Sequence, residues 1–128
     1  MSSMLDKAKA SWKLSEEYWS EVISLNFAAN RFYYSLYQIA DEVNKSPAGG
    51  NRRKYENESF HSFMRNVVRD VVPPGKRNLF QAFQELRELR DTADYQCENI
   101  TLDDLDKELI HEAKELFTLL EQKLSQRS

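Results

Sequence analysis

Phe27-Ala28-Ala29-Asn30-Arg31-Phe32-Tyr33-Tyr34-Ser35-Leu36-Tyr37 sets five aromatic residues among small side chains and a single arginine. Plotted at about 100° per residue, the angle that ~3.6 residues per turn implies, Ala28, Ala29, Phe32, Tyr33, Leu36, Ile39, Ala40 and Val43 cover well over half of a helix circumference. A helix apolar over so wide an arc is central and touched from several sides. The remaining arc holds Asn30, Arg31, Gln38, Asp41 and Glu42 with Phe27 and Tyr34 among them. That mixture suits a second buried surface, an interface, better than open water. The periodicity carries this helix to about Asn44.

A first helix is predicted from about Ser3 to Ile23, with Ser2 or Ser3 as its cap. Leu5, Ala8, Trp12, Trp19 and Val22 lie on its buried side, although Leu14 to Glu17 interrupt the pattern. Beyond the aromatic helix comes a loop, Ser46-Pro47-Ala48-Gly49-Gly50-Asn51, followed by the basic triplet Arg52-Arg53-Lys54. A third, shorter helix near residues 57 to 71 uses Phe60, Phe63, Met64, Val67, Val68 and Val71 at three- and four-residue spacing. Pro73-Pro74-Gly75 ends it. The fourth, about residues 76 to 95, carries Leu79, Ala82, Phe83, Leu86, Leu89 and Ala93. The fifth is placed from Thr101, with Asp104 three residues on as a relative of the capping box and a stripe of Leu102, Leu105, Leu109, Ala113, Leu116, Leu120 and Leu124. About five helices with short connections predict an all-α, antiparallel up-and-down bundle.

Composition agrees. The 128 residues make one domain, spanning 1–128, and with only three Gly and three Pro the chain is built for helices rather than for many turns. One cysteine, Cys97, leaves no internal disulfide and points to a reducing compartment, the cytoplasm. The first residues carry Asp6, Lys7 and Lys9 and lack the apolar core of a signal peptide, and no run approaches the ~20 apolar residues that cross a bilayer. The net charge of −3 is unevenly spread: residues 51 to 90 hold nine Lys or Arg against five acids. This basic middle can meet phosphate; the acidic ends cannot.

Residue spacing limits the chemistries open to the chain. Two Glu-x-x-His strings, Glu58 to His61 and Glu108 to His111, have the spacing of di-iron bundles. On the fifth helix, however, that pair falls opposite the leucine stripe, and no metal site is assigned. Cys97 sits at a helix C-terminus without a histidine beside it in sequence and reads as a bystander. Gly49-Gly50 lacks the Lys-Ser/Thr of a P-loop, and no cofactor is implied. What remains is a ridge at the end of the fourth helix, where Arg87, Arg90, Asp91 and Asp94 are linked by three- and four-residue spacings and Tyr95 follows.

Ala29-Asn30-Arg31-x-Tyr33-Tyr34, then His61 opening the next helix, then Leu86-Arg87-x-x-Arg90-x-x-Ala93-Asp94-Tyr95 before a final amphipathic helix, resembles the HEPN family of prokaryotic helical domains. The likeness is closest to small stand-alone bacterial and archaeal members and spans roughly residues 5 to 124. It implies a homodimer, often paired with a minimal nucleotidyltransferase as toxin and antitoxin, with RNA or a nucleotide as ligand. It also implies a cleft lined by Arg31, Tyr34, Arg90, Asp94 and Tyr95, with His61, Arg90 and Tyr95 as catalytic candidates. Family ribonucleases place a histidine after an arginine with four to six residues between them; here four residues separate Arg90 from Tyr95, which stands in that place. A phenol titrating near ~10 is a poor base at neutral pH, so metal-independent ribonuclease activity would need His61 as substitute.

Overall fold

A computed structural model describes residues 4–21, 25–46, 52–95 and 101–125. Among them are five α-helices and no strand: α1 Met4–Glu21, α2 Leu25–Lys45, α3 Phe60–Val71, α4 Arg77–Tyr95 and α5 Lys107–Ser125, with one 3₁₀ turn at Pro74–Lys76 before α4. The chain is an all-α helical bundle. Helix directions follow from the pairs that cross between helices. Lys9 meets Glu121 at 2.6 Å and Glu16 meets Lys114 at 3.5 Å, so α1 and α5 run in opposite directions. Lys76 to Glu115 and Asn78 to Glu112 show the same reversal between α4 and α5. Trp12 packs edge-on against Phe32 with centroids 4.8 Å apart, about equally far from the α1–α2 connection on either side, as in a helical hairpin. The four long helices thus alternate in direction, while the shorter α3 lies against α2 and α4.

The aromatic helix is the hub, as its wide apolar arc predicts. α2 contacts each of the other four helices, and Ala28, Ala29, Phe32, Tyr33, Leu36, Ile39, Ala40 and Val43 are all fully buried. Ser35 is also buried, and its hydroxyl donates back to the Arg31 carbonyl at 2.8 Å, which satisfies a polar group without a second helix. Ser15 does the same to Ser11 in α1 at 2.7 Å, inside the interruption of that helix's pattern. Asn44 fixes the exit of α2: its Nδ2 donates to the Arg52 carbonyl at 3.0 Å and its Oδ1 accepts the Arg52 N–H at 2.8 Å. Val22, the Ser2 or Ser3 cap, residues 47–51 and Cys97 lie outside the described residues.

Three boundaries differ from the sequence reading. α3 begins at Phe60, not near residue 57, because Ser59 is its N-cap, accepting the Ser62 N–H at 3.1 Å. Phe60 consequently sits at the first helical position and is 64% exposed, although its spacing fits the apolar stripe. α5 begins at Lys107 rather than Thr101. Thr101 and Asp104 do exchange hydrogen bonds, backbone to side chain in both directions at 3.0 and 3.2 Å, but they close an isolated turn. The cap of α5 is Asp106, whose Oδ1 accepts the Leu109 N–H at 2.8 Å. Leu102, placed on the stripe by the earlier start, is 50% exposed, whereas Leu105 is buried. The Trp19 indole ties this turn to α1 by donating to the Leu105 carbonyl at 2.8 Å.

Candidate functional site

Tyr33 and Tyr34 leave α2 on neighbouring radii, and Arg87, Arg90 and Asp91 share one ridge of α4. His61, in the first turn of α3, comes between them. Tyr33 is fully buried, so its hydroxyl needs a partner inside the protein, and it finds His61 Nδ1 at 2.8 Å. The other ring nitrogen, Nε2, lies 3.2 Å from Arg90 Nη1. Arg90 Nη2 in turn donates to the Tyr34 hydroxyl at 3.1 Å. Three helices thereby contribute to one polar cluster sitting on the aromatic core.

The geometry fixes the imidazole's state. A guanidinium has donors and no acceptor, so Nε2 must offer its lone pair to Arg90; the ring proton then resides on Nδ1 and is donated to Tyr33 Oη. His61 is neutral in this arrangement. Electrostatics point the same way: burial first, then the charges of Arg87 and Arg90, hold the His61 pKa below its ordinary value, with Asp91 opposing. Burial, the largest cause, pushes the Tyr33 phenol well above the usual tyrosine range. Tyr37, next to the cluster at 6.1 Å from the Tyr33 ring centroid, is also raised, by burial and then by Asp41.

Arg90 is 7% exposed, unusual for an arginine, and is held by rings as well as by hydrogen bonds. Its guanidinium carbon stands 5.1 Å from the Tyr34 ring centroid and 5.8 Å from that of Tyr33. Asp91 lies 3.6 Å from Arg90 Nη1 and 3.8 Å from Arg87 Nε, so one carboxylate serves both arginines. Tyr34 accepts from Arg90 and has no recipient for its own proton among the described residues, which leaves an O–H to offer to an incoming oxygen. The chemistry on display is a neutral imidazole, a phenol donor and two guanidiniums that share one carboxylate, donors of the kind that bind an oxyanion.

Of the residues singled out in the sequence, the structure brings Tyr34, His61 and Arg90 together. Arg31 stands apart from that cluster: its guanidinium lies 5.2 Å from the Phe27 ring centroid, and no hydrogen bond or ion pair joins it to Arg90. Asp94 and Tyr95 belong to the last turn of α4, but their side chains lie outside the described residues. The Glu-x-x-His strings do not converge. Glu58 accepts from the Tyr55 N–H and from Asn66 Nδ2, at 3.1 and 3.3 Å, while the His61 ring turns to Tyr33 and Arg90. Glu108 and His111 are both exposed on α5. Tyr33 is the site residue that sequence reasoning assigned only to the core; its signal was a hydroxyl at a fully buried position, which demands a partner.

Among the described residues no helix is long and apolar enough to cross a membrane. No family model, no curated protein and no solved structure matches this chain.

Proposed function

We propose that the chain is a HEPN-like domain that acts as a homodimer and takes the phosphate of RNA or of a nucleotide at the Tyr34–His61–Arg90 cluster, with a nucleotidyltransferase-type protein as the partner its resemblance implies. The observation that carries this is the buried Arg90 guanidinium, spread across His61 Nε2 at 3.2 Å and the Tyr34 hydroxyl at 3.1 Å. Both of these partners are neutral and Asp91 stands back at 3.6 Å, so an oxyanion arriving at Arg90 can exchange a charge–dipole bond for a charge-assisted one. Tyr34 adds its O–H. Arg87, one turn before Arg90 on the same ridge, strengthens the field.

Fluorescence anisotropy with a labelled RNA oligomer tests the assignment. Arg90→Ala and Arg90→Lys are expected to weaken binding by roughly 10- to 100-fold, the loss of one charge-assisted contact, with the far-ultraviolet circular dichroism spectrum unchanged. Binding that survives both substitutions removes Arg90 from the site. Light scattering that reports a monomer removes the homodimer.

The His61–Arg90 contact also favours a second reading, a metal-independent endoribonuclease in which His61 replaces the histidine missing at Tyr95. With Arg90 drawn to a phosphate, the freed Nε2 lone pair would take the proton of a ribose 2′-hydroxyl, which attacks the adjacent phosphorus to close a 2′,3′-cyclic phosphate and expels the 5′-oxygen, which takes its proton from water. Growth arrest on induced expression, relieved by His61→Ala, is the expected result. Harmless expression with intact cellular RNA overturns it.

A further inference from the structure

Two large aromatic side chains stand outside the fold's apolar logic. Tyr55 is 71% exposed and Phe60 is 64% exposed, five residues apart, and Phe60 immediately precedes His61. The backbone that carries them is ordered by hydrogen bonds. Tyr55 opens a turn in which the Glu58 N–H bonds the Tyr55 carbonyl at 3.1 Å while the Glu58 carboxylate accepts the Tyr55 N–H, and Ser59 then caps the helix that begins at Phe60. Lys54 ties the two together: its Nζ donates to the Tyr55 carbonyl at 3.1 Å and sits 4.9 Å from the Phe60 ring centroid.

Cations flank this pair along the chain. Arg53 and Arg65 have no acidic partner among the described residues, and Arg52 is the one basic residue of the triplet neutralised by an acid, by Asp70 at 2.9 Å. The acids nearby are Glu56 and Glu58, and Glu58 is engaged by Tyr55 and Asn66. Exposed rings interleaved with cations that no acid neutralises are what an unpaired polynucleotide strand requires: every base has a π-face to lay on an aromatic ring, and every linkage a phosphate to neutralise. A duplex keeps its bases stacked inside and cannot use such rings.

We infer that Tyr55 and Phe60 form a base-stacking platform for a single-stranded polynucleotide, its backbone tracked by Arg53, Lys54 and Arg65 and one of its phosphates delivered to the Arg90 cluster beside His61. This deepens the phosphate reading of that cluster and rests on it for the strand's far contact. The probe is a labelled 12-nucleotide uridine oligomer, read by anisotropy at fixed salt, beside the deoxy-oligomer and a duplex of equal length. The Tyr55→Ala/Phe60→Ala double variant is expected to bind the single strand at least tenfold more weakly, with Tyr55→Trp/Phe60→Tyr retaining affinity. Loss on the ribo-oligomer alone assigns the strand to RNA; equal loss on both makes the platform indifferent to the sugar. The double-alanine variant binding within twofold of the parent overturns the platform. If that variant instead becomes monomeric in light scattering while keeping the oligomer, the rings are a protein contact and the inference is equally wrong. Arg90→Lys separates the two ideas: binding lost there and kept in the double-alanine variant refutes the platform and spares the phosphate site, and the opposite pattern refutes the phosphate site alone. A parent protein that binds no oligomer overturns both.

Discussion

Replacing Tyr33 with phenylalanine removes one oxygen from the centre of the molecule and nothing else. The ring stays in its fully buried slot beside Phe83, 5.2 Å between centroids, so no cavity opens and packing terms cancel. What is lost is the 2.8 Å bond to His61 Nδ1. Because His61 is half-buried, water can reach the orphaned N–H in part, and the cost falls near the middle of the range for a net hydrogen bond, about 1 kcal/mol, instead of the full desolvation penalty. With a urea slope on the order of 2 kcal/mol/M, the denaturation midpoint should drop by about 0.5 M with the slope unchanged. Tyr33→Phe alone does not isolate the pair, so the measurement is a double-mutant cycle with His61→Ala at pH 8. The expected coupling is about 0.5 to 1.5 kcal/mol. A coupling under about 0.3 kcal/mol, the scatter of unconnected sites, would mean that Tyr33 does not hold His61 and that the tautomer argument built on this bond fails.

Two further outcomes are expected. His61 titrates lower in the folded chain than its unfolded value of ~6.5, so below that pH the unfolded chain binds more protons; its stabilising contribution is present above ~6.5 and is lost as pH falls toward the folded value. Denaturation midpoints at pH 8 and at mildly acidic pH should therefore differ more for the parent than for His61→Asn, and equal differences would refute a half-buried neutral imidazole. At the start of α5, Asp106→Ala should cost about 1 kcal/mol in a thermal melt as a lost N-cap, and Asp104→Ala less than about 0.5 kcal/mol. The reverse order would return the helix start to Thr101.

How far the sequence could be read depended on whether the deciding contact was local. The centrality of α2 was legible because three- and four-residue spacing alone determines which side chains share a face, and Ala28 through Val43 follow it. Arg87, Arg90 and Asp91 were legible as a ridge for the same reason. His61 meeting Arg90 was not, since 29 residues separate them and only the return of α4 along α3 brings them together. Periodicity misled at helix ends: Phe60 and Leu102 fit their stripes, but Phe60 is the first residue of its helix and Leu102 precedes its own, where helical spacing does not decide which way a side chain faces. The Thr101–Asp104 exchange is real chemistry that looks the same in sequence whether a helix or an isolated turn follows.

The position of α2 at the hub bears on how the molecule comes apart. A helix that touches all four others cannot detach while any two of them remain assembled around it, whereas α3, with 12 residues packed on α2 and α4, can lift away by itself. Amide hydrogens in the middle of α2 should exchange with solvent deuterium only when the entire chain unfolds, and those of α3 through a smaller, cheaper opening. Since His61 travels with α3, each such opening would uncover the Arg90 guanidinium, so protection factors in α3 would measure how often that cluster meets solvent.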